Sequence, residues 1–259
     1  MPSVIFDLAQ EAREAASRLV FAHQCALCGA EADEAGVPGL CGNCEGKLPR
    51  LREPKCARCG EWFVGNITGE FHCMNCADRR FDFDFATAPF QARKDVRELV
   101  HRFKYGRELW LCETLGALLA TALRGPAADP RLSQRNDWLV VPVPLHARRQ
   151  REREFNQSLE LARVLARHAG LEACDVLRRA RYTTRQALLD RDDRLGNLKN
   201  AFHLRPARPW RRSGADEIRG RSILVVDDVF TTGATMQECA LVLKKQGAAR
   251  VAALALARG

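Results

Sequence analysis

The sequence predicts an α/β domain built on a parallel sheet, preceded by a small cysteine-rich module that folds around metal. Three observations carry this. Eight cysteines form four C-x-x-C pairs between Cys25 and Cys76. From Phe81 onward, apolar runs of strand length alternate with segments of helical period. Near the end, "ILVVDDVFTTGATMQ" runs from an apolar strand into two adjacent carboxylates, then small polar residues, then a helix.

The chain has 259 residues, room for one large domain and a small one. Hydrophobic residues make up 46%, the share of a globular protein. No apolar run approaches the ~20 residues that cross a bilayer. The segment 1–24 carries acids early and reads as an amphipathic helix, not a signal peptide. A cytoplasmic protein without a transmembrane segment is therefore expected. The formal net charge is +9, and arginine outnumbers lysine. Arginine forks suit phosphate, which points to an anionic partner. The competing reading is codon bias and solvated helix faces.

Residues 25–80 form the expected metal module. A C-x-x-C pair presents two thiolates at one tight turn, half of a tetrahedral zinc site. Twelve residues separate Cys28 from Cys41, and thirteen separate Cys59 from Cys73, gaps that suit short hairpins. Sequential use groups Cys25, Cys28, Cys41 and Cys44, then Cys56, Cys59, Cys73 and Cys76. A cross-braced pairing, or a single occupied site, fits the spacing as well. One or two structural zinc ions are expected, because four thiolates leave no open position for hydrolytic chemistry. Cys112, Cys174 and Cys239 stand in apolar or helical surroundings and are expected to pack.

Residues 81–259 form the expected α/β domain. "FDFDFATAPF" alternates as a strand does, with Phe81, Phe83 and Phe85 serving core and sheet. "QARKDVRELVHRFKYG" sets Val96, Leu99, Val100 and Phe103 at helical spacing. "ELWLCETLGALLATALRG" is a second helix ended by Gly125 and Pro126. "DWLVVPVPLH" is a buried strand leading into a basic loop. "FNQSLELARVLARHAG" is a helix with Leu159, Ala162, Leu165 and Ala166 inward. "PARPWRRSGADEIRG" is a polar insertion. A strand, the helix "GATMQECALVLKKQG" and the strand "VAALALA" close the chain. His101 and His168 read as surface or helix-end residues. Strands alternating with helices imply right-handed crossovers and a parallel sheet.

The paired acids explain themselves at a strand end. Open α/β sheets bind ligands at the carboxyl ends of their strands. Backbone amides of the turn, the following helix N-terminus and the hydroxyls of Thr231, Thr232 and Thr235 suit a phosphate monoester. Gly233 and Ala234 keep the turn small. Asp227 and Asp228 then suit vicinal hydroxyls, or Mg²⁺ associated with them. The ligand implied is a ribose 5-phosphate. A receiver domain also pairs acids, but it does so early in its sheet, whereas here some thirty residues remain.

"VVDDVFTTGAT" resembles the phosphoribosyl pyrophosphate (PRPP) signature of type I phosphoribosyltransferases. Purine-salvage members place another Asp four residues after the first carboxylate; Thr231 stands there, which argues against that acceptor. "VVPVPLHARRQREREFNQS", "RARYTTRQALLDRDDRLGNLKNAF" and "HRFKYG", with the cysteine-rich front, resemble the ComF family of competence proteins over nearly the whole chain. The resemblance implies a type I phosphoribosyltransferase-like parallel sheet with helices on both faces behind a double zinc ribbon. It marks Arg149, Arg153, Asn156 and Gln157 as candidates for a pyrophosphate loop. It marks Arg181, Thr184, Gln186, Arg194 and Asn197 as candidates for a hood over the anomeric carbon. Glu154 replaces a family Gly and is strained if that position needs a positive φ.

Two functions follow from the resemblance. One is a transferase using PRPP with Mg²⁺ and an unknown acceptor; pyrophosphate release would reveal it. The other is a factor that handles single-stranded DNA entering the cytosol, alongside uptake machinery; salt-dependent binding without turnover would reveal it. Net charge supports the second, while the chain lacks the interleaved basic and aromatic residues of a base-stacking platform.

Overall fold

The computed structural model describes residues 24–259, except 34, 78, 126–127, 136, 182–197, 199 and 207–213. The expected N-terminal helix lies outside the described residues.

The cysteine module is built twice. In each half, a cysteine amide donates to the carbonyl five residues on: Cys25 to Ala30 at 2.6 Å, and Cys56 to Glu61 at 2.7 Å. The glycine after each C-x-x-C donates back, Gly29 to Cys25 and Gly60 to Cys56, both at 2.9 Å. The isolated bridges Gln24–Glu31 and Lys55–Trp62 repeat the same shift of 31 positions. Cysteine sulfurs gather in sequential groups, Cys25/Cys28/Cys41/Cys44 and Cys56/Cys59/Cys73/Cys76, each within 4.8 Å of one another. The cross-braced alternative is thereby set aside. Two four-thiolate groups of this size fit structural zinc. Short helices α1 (Gly42–Lys47) and α2 (Met74–Ala77) carry the later cysteines of each group.

The larger part is a parallel sheet. In chain order its elements are β1 (Phe85–Thr87), β2 (Phe90–Gln91), α3 (Lys94–Tyr105), α4 (Leu111–Ala120), α5 (Pro130–Ser133) and β3 (Trp138–Pro142). There follow α6 (Ala147–Arg153), α7 (Gln157–Ala169), β4 (Glu172–Ala173), β5 (Leu177–Arg179) and β6 (Phe202–Leu204). The last are α8 (Gly214–Ile218), β7 (Ser222–Phe230), α9 (Ala234–Lys245) and β8 (Arg250–Arg258). The sheet order is β1-β8-β7-β3-β4, with β2 also on β8, and every pairing in it is parallel. The expected strand over 81–90 is two short pieces, because Pro89 cannot donate to the ladder. A separate antiparallel pair joins β5 to β6.

Strand alternation divides the core. Leu224 and Val226 face α3, α4 and α7, with Leu99, Phe103, Leu115, Leu118, Leu161 and Leu165. Ile223 and Val225 face α9 and the β5–β6 pair, with Met236, Cys239, Leu243, Leu177 and Phe202. The inward stripe of α7 is Leu161, Ala162, Val164 and Leu165; Leu159 is only partly buried. Cys112, Cys174 and Cys239 are buried, as packing requires.

The module is seated on the sheet rather than tethered to it. Arg58 Nη1 donates to the carbonyls of Phe83 and Asp84, both at 3.2 Å. Arg131 Nη1 donates to the Ala57 carbonyl at 2.6 Å. Leu51 donates to Pro89, and Gln91 to Pro49, at 2.9 and 2.8 Å. The second cysteine group packs in one apolar cluster with Phe83, Phe230, Ala234 and Met236.

All four cysteines of the second group are buried, whereas Cys28 in the first is exposed. Elemental analysis should therefore find two zinc ions per chain. Cys59→Ser should remove about one ion and lower the melting temperature more than Cys28→Ser, since it opens a shell inside the shared core. Equal melting of both variants and wild type, with zinc retained, would refute the structural role.

Candidate functional site

β7 outruns its neighbour. Its ladder with β3 ends at Val226, opposite Pro142, while its ladder with β8 continues to Phe230, opposite Arg258. The paired acids are thus inside the strand, not at its end, but they stand where β3 has stopped. Their side chains leave opposite faces. Asp228 receives the Lys104 ammonium of α3 at 2.6 Å. Asp227 Oδ1 accepts from Ser158 Oγ at 2.7 Å and from the Asp228 amide at 2.9 Å.

Electrostatics separate the two acids. Burial, then the adjacent Asp228 charge, push the Asp227 carboxyl up to about 7 against the pull of Lys104 and Ser158. Burial alone would lower Lys104, but Asp228 and then Asp227 outweigh it and hold the ammonium above its usual range. Sequence reasoning missed Lys104. The signal is its place four residues after Val100, on the core-facing stripe of α3, where a lysine breaks the pattern.

After Phe230 the chain makes the turn Thr231–Gly233 and enters α9. Gly233 has φ 78°, and a Cβ there would lie 2.7 Å from Phe230 Cζ. The glycine is required by backbone sign and by the Phe230 ring beneath it, beyond any closeness to ligand. Thr232 Oγ1 accepts from the Ala234 amide at 3.4 Å. Thr231 is exposed, and Thr232 and Thr235 partly so. The first amides of a helix lack intrahelical acceptors, so this turn can receive an anion.

These groups share one wall of a cavity of about 820 Å³. The opposite wall comes from the segment after β3. The expected loop there is α6, whose cap is His146: its Nδ1 accepts from the Arg148 amide at 3.2 Å. The helix sorts its arginines. Arg149 and Arg153 line the cavity, while Arg148 and Arg151 are exposed outside it. Arg153 reaches Tyr105 on α3, its Nη2 3.2 Å from the hydroxyl and its guanidinium 4.9 Å from the ring centre. His101 is exposed, as expected, and also lines this mouth.

Glu154 ends α6 in the left-handed region at φ 70°, the conformation that favours glycine, and its carboxylate pairs with Arg107 at 3.0 Å. Asn156 is buried and lines the cavity; its Nδ2 donates to the Val143 carbonyl, and its Oδ1 accepts from the Ser158 amide, both at 3.2 Å. Gln157 is 2% exposed, lines the cavity, and its Nε2 has no hydrogen-bond partner among the described residues. A buried amide of this kind needs an acceptor, which a ligand can provide. Of the hood residues, Thr184, Gln186, Arg194 and Asn197 lie outside the described residues. Arg181 is exposed, and the described wall contains Arg179 instead. Burial, then the Arg149 charge, bring Arg179 down to about 10. Period-two reading from buried Leu177 would have found it.

Comparison with known proteins agrees with this layout. The chain matches the double zinc ribbon domain over residues 16–78 and the phosphoribosyl transferase domain over residues 156–259. The parallel sheet is thus of type I phosphoribosyltransferase kind. Competence protein F of Haemophilus influenzae is 30% identical, with 85% of this chain and 90% of that protein covered. DNA utilization protein YhgH of Escherichia coli K12 is 29% identical, with the same coverage. Competence protein ComFC of Streptococcus pneumoniae is 25% identical, covering 85% of this chain and 87% of that protein.

An acid with a folded pKa above its unfolded value binds its proton more tightly when folded. The stability so gained is complete below about pH 4 and lost as pH rises through about 7. Asp227→Asn should flatten that loss, raising the melting temperature at pH 8 relative to wild type without ligand. Calorimetry from pH 4 to 8 checks this; parallel curves for the two proteins would place the proton elsewhere.

Proposed function

Because the chain belongs to the family of competence protein F and the DNA utilization proteins, we propose that it binds PRPP or a related ribose 5-phosphate ligand. On this reading it serves DNA uptake or utilisation, handling single-stranded DNA in the cytosol. The family supplies the role, and one observation carries the ligand. Two carboxylates, a small anion-receiving turn and a cluster of arginines share the walls of one 820 Å³ cavity. The 5-phosphate lies in the turn, on the first amides of α9 and the hydroxyls of Thr231, Thr232 and Thr235. The vicinal hydroxyls donate to Asp227 and Asp228. Gln157 Nε2, Arg149, Arg153 and Arg179 face the pyrophosphate.

Hard carboxylate oxygens fit Mg²⁺, but both acids already hold protein donors, Lys104 on Asp228 and Ser158 on Asp227. The ion therefore arrives with the ligand's pyrophosphate, whose charge it neutralises. The division into a metal module over 25–80 and a ligand domain over 81–259 belongs to the same proposal.

A transferase remains the second reading, favoured by room. The cavity is also lined by Ala92, Val96, Val100 and Ala257, apolar groups beside Arg97 and His101 that suit a flat acceptor with polar edges. Loss of pyrophosphate would leave a cationic ribose, stabilised by positioning and charge without a protein nucleophile. Pyrophosphate release across a panel of nucleobases supports this reading; none supports binding alone.

PRPP should raise the melting temperature only with Mg²⁺ present. Ligand at a hundred times Kd stabilises by about 2.7 kcal/mol. Asp228→Asn should weaken the shift, and it is a cleaner variant than Gly233→Val, which would strike the Phe230 ring whether or not ligand binds. An undiminished shift in Asp228→Asn would move the ligand elsewhere.

Single-stranded DNA should bind through phosphates on the exposed face of α6. If about five phosphates are neutralised, log K should fall with log salt at a slope of roughly −3.5. Replacing Arg148 and Arg151 by Ala should flatten it by up to about 1.4. Because these two arginines point away from the cavity, PRPP should leave DNA affinity unchanged. Competition between the two ligands would instead draw Arg149 and Arg153 into the DNA contact.

A further inference from the structure

The second cysteine group has a short path to the phosphate turn. Arg258, near the end of β8, is 8% exposed. Its Nη2 is paired with the Glu61 carboxylate. Its Nη1 donates to the Thr231 carbonyl at 2.7 Å, to the Phe230 carbonyl at 3.3 Å and to that of Gly259. The guanidinium lies 4.9 Å from the centre of the Phe230 ring, the ring against which Gly233 is folded. Glu61 is itself part of the second cysteine turn, since its carbonyl accepts from the Cys56 amide at 2.7 Å.

The first cysteine turn has no such arm. The shift of 31 positions that relates the two halves puts Ala30 where Glu61 stands. Alanine holds the same backbone bond but carries no charge to offer. The carboxylate is therefore an addition to the metal turn, not a requirement of it. Its partner is buried and touches the two carbonyls from which the phosphate turn begins.

We propose that Glu61 and Arg258 are positioning residues for the phosphate turn, and that through them the second metal turn sets the affinity of the cavity for a phosphorylated ribose. The geometry shows how. A guanidinium is a rigid fork, so fixing one arm on Glu61 fixes the other on Thr231 and Phe230. With Gln at position 61, the charged anchor of one arm is lost, Arg258 is held only by its Nη1 contacts and the Phe230 ring, and the turn it supports is less firmly fixed. The affinity part rests on the ribose-phosphate reading above; the ordering of the turn does not.

The test uses full-length, zinc-loaded protein, three single variants, Glu61→Gln, Arg258→Lys and Arg131→Lys, and the double variant of the first two. Arg131 also grips the second cysteine turn, through the Ala57 carbonyl, but its other partners are Asp129 and the Phe85 ring. It serves as the control for general loosening of the module. Hydrogen exchange across residues 230–236, zinc content and PRPP affinity by calorimetry are measured together. Glu61→Gln and Arg258→Lys should each speed exchange in the turn, leave α4 unchanged, keep both zinc ions and weaken PRPP about tenfold. The double variant should be no weaker than either single one, as for two members of one link. If Glu61→Gln loses zinc, Arg258→Lys decides alone, because it leaves the cysteine turn intact. Unchanged exchange in the turn, or an equal effect from Arg131→Lys, overturns the proposal. Wild type that fails to bind PRPP, with turn exchange still responding, refutes the ligand and keeps the link. Wild type and variants that bind PRPP equally refute the link and keep the ligand.

Discussion

Past Val226, β7 keeps its ladder with β8 but has lost β3. The four residues Asp227–Phe230 therefore have a strand on one side and a cavity on the other. Every group in the site depends on that overhang. It lets a carboxylate project from each face without being smothered by a neighbouring strand. It also brings the chain out far enough that the turn after Phe230 faces the arginines of α6. A β3 two residues longer would cover the acids, and a β7 two residues shorter would put the turn inside the sheet.

Charge on this overhang is balanced locally. Two adjacent acids in a half-buried strand would repel each other, and the structure answers with Lys104 on one and Ser158 on the other. A ligand that brings hydroxyls to these acids must share or displace donors already present. The site is thus preorganised: its acids are held in place before ligand arrives, and little reordering is left for binding. The Gln157 Nε2, which has no partner among the described residues, is the complement of this arrangement on the opposite wall. There a donor waits for an acceptor.

Much of this was legible in the sequence, because its strongest signals are local. Four C-x-x-C pairs, the acids after "ILVV", and "TTGAT" before a helical run each declare their chemistry within a dozen residues. What stayed hidden needed two distant segments. Lys104 and Asp228 are 124 positions apart, and Arg258 and Glu61 are 197 apart. Asn156 lines the cavity as its motif suggests, but the backbone bonds that also fix it, to Val143 and Ser158, show only in three dimensions. The resemblance favours Arg149 over Arg148 without a physical reason; the helix supplies it, turning adjacent residues about 100° apart so that Arg149 meets the cavity and Arg148 does not.

Glu154 shows how the same constraint reads in both directions. The end of α6 requires a left-handed residue so that the chain can reverse into α7 and present Asn156 as its cap. Glycine satisfies that at least cost; glutamate costs about 1 kcal/mol or more in this region. Here the strained residue is tied to Arg107, itself at φ 57°, across the mouth of the cavity. The ion pair is exposed and contributes little stability on its own. Its effect is geometric: it joins the end of α3 to the end of α6, the two elements that bring Lys104 and the arginines to the ligand. The left-handed backbone at Glu154 and its contact to Arg107 thus lie together where the ends of α3 and α6 meet.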